Sequence, residues 1–402
     1  MKLQLRADQP RIIAWLPGCL ACLACCLAGC ASVPPAADAR LLLHDEAFAA
    51  PADFIAAEAV LAPSPEMQQF ASRLKTQTSR LLDLRTALMD ALTRPDTLRL
   101  RYDTSVTRTA AQAFEARAGN CLSLMLMTAS LAKELGIQVT YQSVLTEDYF
   151  SRHDALVFAS GHVNLVLRRS VRGASHVAHD IDREMTVDFL PSQDLVGQRV
   201  MAVSEAAVRA MYMNNRAAEL LSDGHPASAY WWARESLLQD PGFLPGINTL
   251  GVIYLRQGQA KHAEAAFRQV LKQDPRQTSA LSNIVRLLNN QGRGDEAKPL
   301  AARLAALQPD PPFLKLDQGR AALDAGEVAK ARDLFLAELR QQPFQHEVHY
   351  WLAMALASLG ESKRAASHLA LAVEHSTTAV THDLYAGKLE RFRQALRTTR
   401  QQ

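Results

Sequence analysis

The stretch GVIYLRQGQAKHAEAAFRQVLKQDP, residues 251–275, carries marker residues that return at one fixed distance. Pro241, Pro275, Pro309 and Pro343 are spaced by 34, and so are Gly224, Gly258, Gly292, Gly326 and Gly360. Ala229, Ala263, Ala297, Ala331 and Ala365 keep the same spacing. A fixed period of this size means a stack of identical supersecondary units, none able to bury its apolar face alone. Each unit reads as two antiparallel helices. The glycine sits in the tight turn between them, where a side chain would strain the backbone. The alanine lets the two helices approach, and the proline stops the second helix before the next unit. Five units fit residues 210–379. Residues 380–397, rich in Lys and Arg, read as a solvating cap helix.

Gly251, Tyr254, Ala263, Phe267 and Pro275 resemble the tetratricopeptide repeat. The third unit departs from that pattern, with Val285 and Leu288 at the first two phases. The resemblance implies an all-α solenoid over residues 204–397, with a concave surface lined by the first helix of each pair. Asn214, Asn248, Arg286 and Asn289 are the candidates to face a protein or peptide partner there; plain solvation of each is the competing reading. Such an array implies a partner or a scaffold and carries no chemistry.

The amino terminus has a different character. Three basic residues lie in positions 1–11, and residues 12–29 are uncharged and mostly apolar, ending in the small residues Ala28-Gly29. This is a charged region, an apolar region and a small-residue cleavage site. Leu27-Ala28-Gly29-Cys30 resembles a bacterial lipobox. The resemblance implies a signal peptide over residues 1–29, lipid addition at Cys30, and a lipidated tether over residues 30–39. Several acyl chains would make a stable anchor. Ala31 stands where inner-membrane lipoproteins typically carry Asp, which favours the outer membrane, facing the periplasm. A plain secretory signal is the competing reading.

Of six cysteines, Cys19, Cys22, Cys25 and Cys26 would leave with the leader, and Cys30 would be lipidated. Cys121 is then the one remaining thiol. An unpaired cysteine in a secreted chain is a reactive group or an inert buried side chain.

Between leader and array, residues 40–195 read as mixed. Leu41–Leu43 suggests a short strand. Residues 66–92 read as one helix ended by Pro95, with Met67, Phe70, Leu74, Leu81, Leu84 and Leu88 near helical spacing. Arg108–Ala118 is a shorter helix, broken at Gly119-Asn120. Asn120 can cap a new helix at Cys121, and Gly136 can close it. That helix is apolar nearly all round until Lys133, so it belongs at a domain centre. Strands follow at Ile137–Leu145, His162–Arg168 and Met185–Leu190. Residues 193–209 read as a connector, with a helix starting near Ser204. A central helix with antiparallel strands is an α+β arrangement.

Cys at a helix start, His at a strand start and Asp on the next strand is the order of the papain-like and transglutaminase-like folds. Residues 105–192 resemble the transglutaminase-like core, most closely at Gly119–Gly136, Gly161-His162-Val163-Asn164 and Thr186-Val187-Asp188-Phe189-Leu190-Pro191. The resemblance implies a triad of Cys121, His162 and Asp188. Two departures stand against it. Val163 replaces the usual aromatic after the histidine, and the loop from His162 to Asp188 is long and holds His176, His179, Asp180 and Asp182. Asn164 shares a strand face with His162 and is a candidate substrate contact.

The chemistry needs these three residue types. The thiolate is the nucleophile, and a free thiol is mostly protonated at neutral pH. A helix amino terminus, with about half a positive charge, favours the anion. An imidazolium favours it further and later protonates the leaving amine. An aspartate orients the imidazole, and the Cys121 amide is a natural oxyanion donor. Together they suit an acyl-thioester route on an amide or ester. No metal is expected, because Cys121, His162 and an acid lack a second thiol or imidazole at ligand spacing, and no cofactor is called for.

Composition bounds the rest. Apolar residues make up 48% and charged residues 21%, an ordinary globular balance. The net charge of +3 includes Lys2, Arg6 and Arg11 against Asp8 in the leader. That balance gives no reason to expect nucleic acid as a partner. No later segment has about 18 uncharged apolar residues. Two functions follow. One is an envelope-anchored cysteine acyl-transfer enzyme, hydrolysing an amide or isopeptide or passing the acyl group to an amine. The other is a non-catalytic lipoprotein adaptor with a degenerate middle domain.

Overall fold

The computed structural model describes residues 39–401, except 52–54, 79–82, 95, 104–105, 154–155, 169–183, 190–198, 344 and 377–378. The leader, Cys30 and the tether to residue 38 lie outside the described residues. So do His176, His179, Asp180, Asp182 and Leu190-Pro191.

Two helices stand where one was expected over residues 66–92. Helix α1, Pro65–Gln77, starts with the Ser64 hydroxyl accepting from the Met67 amide and ends where Thr78 turns extended. Helix α2, Leu84–Thr93, restarts on a fresh cap, with Asp83 accepting from the Arg85 amide at 3.0 Å. A competing cap inside an apolar periodicity divides the helix. Strand β1, Arg101–Tyr102, pairs in parallel with β2, Ala118–Gly119. Between them α3, Ala110–Ala116, opens on a Thr109–Gln112 capping box and stops where Arg117 turns left-handed at φ 50°.

Helix α4, Cys121–Glu134, is buried at every position from Leu122 to Ala132. Asn120 caps it, and Gly136 closes it at φ 76°. It packs on one face of a four-stranded antiparallel sheet of β3 (Gln138–His153), β4 (Leu156–Arg168), β5 (Glu184–Val187) and β6 (Arg199–Val203), in the order β5-β4-β3-β6. Tyr141, Val163, Leu165, Leu167 and Val187 from the sheet share a core with Met125, Leu126 and Met127. The strands expected at 137–145 and 162–168 form the open end, away from the turn, of a much longer hairpin. Strand β6 lies in the stretch read as a connector. Four of its five residues are exposed, so no apolar alternation announced it.

Five antiparallel helix pairs follow: α5 (Glu205–Ser222) with α6 (Pro226–Gln239), α7 (Leu244–Arg256) with α8 (Ala260–Gln273), and α9 (Thr278–Asn290) with α10 (Gly294–Leu307). The last two are α11 (Leu314–Asp324) with α12 (Val328–Gln341), and α13 (His346–Ser358) with α14 (Ser362–Glu374). Helix α15, Ala379–Gln401, caps the stack. The five period-34 glycines all turn left-handed, with φ between 72° and 80°, a conformation that costs any other residue.

Close approach has a volume rule. A Cβ on Gly251 would lie 2.5 Å from the Phe267 ring, and one on Gly319 would lie 2.4 Å from Phe335. One period on from Phe267 stands the small Ala301, in the unit where Val285 replaces the glycine. Size has moved from one helix to the other, which explains the third unit's departure.

Helix α5 belongs to two cores. Val208, Tyr212 and Met213 join the α+β core, and Ala217 and Leu221 join the repeats. Glu205 accepts from Lys133, from Tyr141 at 3.2 Å and from Arg209 at 2.6 Å, and Glu219 accepts from the Thr107 amide at 2.7 Å.

The first described residues also pack on the array. Ala39–Leu42 forms a 3-10 turn, not the strand expected at Leu41–Leu43, because its neighbours are helices with no free strand edge. Ala39, expected to end a flexible tether, is fully buried among the repeats. The domain expected over 40–195 therefore opens with a segment whose contacts lie on the repeats.

Gly319→Val should lower stability by about 1–3 kcal/mol through overpacking, read as a shift in urea midpoint. Adding Phe335→Ala should recover part of this, with a coupling of about 1 kcal/mol or more. Strict additivity would contradict the volume rule.

Candidate functional site

Cys121 occupies the first turn of α4 because the residues before it leave the chain no other course. Asn120 accepts from the Ser123 amide at 2.9 Å, and its Nδ2 donates to Thr107 Oγ1 at 2.9 Å. The Ser123 hydroxyl donates to Asn120 Oδ1 at 2.8 Å and accepts from the Arg108 amide at 2.8 Å. A Cβ on Gly119 would sit 2.6 Å from Ser123 Cβ, so glycine is required where β2 meets the helix. The cap takes the Ser123 amide and leaves those of Cys121 and Leu122 pointing out of the helix end. Cys121, the cysteine among the described residues, is half-buried with a free thiol.

Strand β4 brings His162 to that helix end. Its Nε2 lies 2.8 and 2.7 Å from the two oxygens of Asp188. A carboxylate only accepts, so Nε2 carries a hydrogen toward Asp188. Cys121 lies close enough to be one of the groups that raise the pKa of the ring. Burial disfavours the imidazolium here, but the Asp188 hydrogen bond, the Cys121 hydrogen bond and the charges of both groups outweigh it, and the pKa of His162 is raised to about 9. His162 is 2% exposed.

The register explains why Asp188 arrives. Leu165 pairs with Val187 in the β4–β5 ladder. One antiparallel step further sets Asp188 opposite Asn164, two residues from His162 and on the same face. Asn164 is 4% exposed, and its Nδ2 donates to Asp188 Oδ2 at 3.2 Å. Its Oδ1 is buried without a hydrogen-bond partner. Asp188 thus takes donors from His162 and Asn164, which hold its plane.

Asn248 accepts from Asn283 Nδ2 at 3.1 Å, a bond between successive repeats. Asn214 is half-buried with Oδ1 lacking a hydrogen-bond partner, and Arg286 and Asn289 are exposed. Thr107, Ser123 and Asn283 were missed by sequence reasoning. Ser123 carried a signal, since it stands three residues after a capping Asn; the other two depend on distant contacts. Among the described residues no group of three or more His, Cys, Asp or Glu is arranged to hold a metal ion. No helix among them is long and apolar enough to cross a membrane.

Family models of the tetratricopeptide repeat match residues 254–318 and 316–379. Solved structures similar to this chain include YrrB, described as a repeat protein with an unusual peptide-binding site, at 19% identity. That match covers 44% of this chain and 92% of that one, with a TM-score of 0.24. PilF of Pseudomonas aeruginosa is 21% identical over 46% of this chain and 91% of its own, with a TM-score of 0.26. MamA of Desulfovibrio magneticus is 19% identical over 43% and 96%, with a TM-score of 0.25. A search of curated proteins finds no match. The carboxyl-terminal half is a helical array of tetratricopeptide repeats, a module of protein–protein interaction.

Proton-resolved titration of His162 should find the ring charged through pH 8 and titrating near 9. Asp188→Asn should lower that midpoint by about one to three pH units. The folded-state value lies above the ordinary 6.5, so the pairing stabilises the fold fully below 6.5 and is lost as pH rises through about 9. The stability gap between wild type and Asp188→Asn should narrow across that window; a gap that widens would contradict the assignment.

Proposed function

We propose that this chain is an envelope-anchored, transglutaminase-like cysteine enzyme that transfers acyl groups from amides or isopeptides. The observation that carries the proposal is His162 standing between Cys121, at the start of a buried helix, and Asp188. In this reading Cys30 holds a lipid anchor in the outer membrane, facing the periplasm, and the repeats hold a protein or peptide close to the site.

The steps follow from the side chains. The charged His162 ring holds on Nδ1 the proton given up by Cys121, and Asp188 stabilises this imidazolium through Nε2–H. The thiolate sulfur bonds to the substrate carbonyl carbon, and the carbonyl oxygen becomes an oxyanion. The outward-pointing Cys121 and Leu122 amides are suited to donate to that oxyanion, with the helix end favouring negative charge. The carbon–nitrogen bond breaks as His162 gives its proton to the leaving amine. The acyl-thioester is then attacked by water, releasing the acid, or by a second amine, forming a new amide. His162 takes the proton of the incoming group and keeps it as the sulfur leaves as the thiolate. Asn164 keeps Asp188 aligned throughout and touches no reacting atom.

The test is alkylation of the mature protein with iodoacetamide at pH 6–7. Rapid labelling at Cys121, slowed about tenfold or more by His162→Ala, is the expected outcome. Labelling that occurs only on unfolding, or that ignores His162, would overturn the enzyme reading and leave a tethered adaptor.

A further inference from the structure

Residues 39–49 lie along the first two repeats with more recognition chemistry than a passing loop needs. Phe48 stacks on Tyr230 with centroids 3.9 Å apart and planes 7° from parallel. His44 stacks on His262 at 3.9 Å and 15°. Asp45 accepts from Tyr230 OH at 2.6 Å, and Arg234 Nε lies 3.0 Å from each of its oxygens. The backbone is read as well: Trp231 Nε1 donates to the Ala49 carbonyl at 2.6 Å, and Tyr254 OH donates to the Leu42 carbonyl at 2.7 Å. The segment contributes no strand or helix ladder to the array. One side is buried, as at Ala39, and the other faces out, as at Leu41, which is 79% exposed.

The repeat period separates recognition from scaffold. Tyr230-Trp231 occupy a phase that holds Glu264-Ala265, Lys298-Pro299, Arg332-Asp333 and Ala366-Ser367 in the other four units. No other repeat carries aromatic rings there, so the repeat period itself does not call for the pair. A carboxylate held by an arginine, stacked rings and side-chain donors on main-chain carbonyls are the means by which proteins bind short peptides.

We infer that Tyr230, Trp231, Arg234, Tyr254 and His262 form a peptide-binding socket on the first two repeats, occupied in cis by residues 39–49 of the same chain. The peptide class it takes carries a carboxylate three positions before an aromatic ring. The covalent link gives the cis segment a high effective concentration, so a free peptide of this class enters only when that segment is loosened. The socket does not depend on the cysteine chemistry.

The test uses the full chain with Asp45→Arg and Phe48→Ala, which empties the socket without touching its walls. The probe is a fluorescein-labelled synthetic peptide of residues 38–50. The opened chain should bind it with a Kd on the order of 10–100 μM, and wild type about tenfold or more weakly. Adding Arg234→Ala to the opened chain should weaken binding about tenfold or more. Equal binding by wild type and opened chain, no binding by a folded opened chain, or indifference to Arg234 would each overturn the inference. Should the double variant lose its helical circular dichroism, Asp45→Asn, which keeps Phe48 on Tyr230, takes its place. It should bind between the two extremes, and no gain over wild type would overturn the inference.

Discussion

Asn120 commits its side-chain oxygen to the Ser123 amide and its nitrogen to Thr107, and this pair of bonds determines where Cys121 stands. Moved one residue earlier, the thiol would lie outside the helix; moved two later, it would be in the fully buried core. At the first turn it is half-buried beside the free amides of the helix end, and it is one of the groups that raise the His162 pKa. Everything attributed to the site depends on that cap. The histidine alone would be a buried ring with an acid on one side and nothing to act on.

The sheet supplies the other half. Asp188 reaches His162 because β5 pairs with β4 in a register that sets it opposite Asn164. That same register buries Val187 and Leu165 against α4. The packing that stabilises the core therefore also aligns the acid, and a one-residue slip would turn both sets of side chains to the wrong face. Helix α5 extends the constraint. One stretch of it seals the α+β core and another starts the repeats, so the array is joined to the domain through a shared helix and not a loose connector.

Much of this was legible in the sequence, and the reasons are physical. Caps and turns are local: Asn120, Gly136 and Ser204 act on backbone within a few residues, so their positions could be read directly. The repeats announce themselves by period, because each copy must satisfy the same packing. Asp188 was reachable through a family resemblance. The docking of residues 39–49 was not legible: Asp45 and Arg234 are 189 positions apart, and the segment has no periodicity. Strand β6 is exposed on both faces, which erases the usual alternation. Asn164 sat on the expected face, but its partner was decided by strand register, which no single stretch contains.

The most direct measurement is mass spectrometry of the mature chain incubated with envelope extract and quenched in acid. If the arrangement around α4 acts as described, an acyl adduct should appear on the proteolytic fragment containing Cys121. It should be released by hydroxylamine as a thioester would be, and be absent from His162→Ala. A Cys121 fragment that stays unmodified, or an adduct that forms equally without His162, would contradict the account.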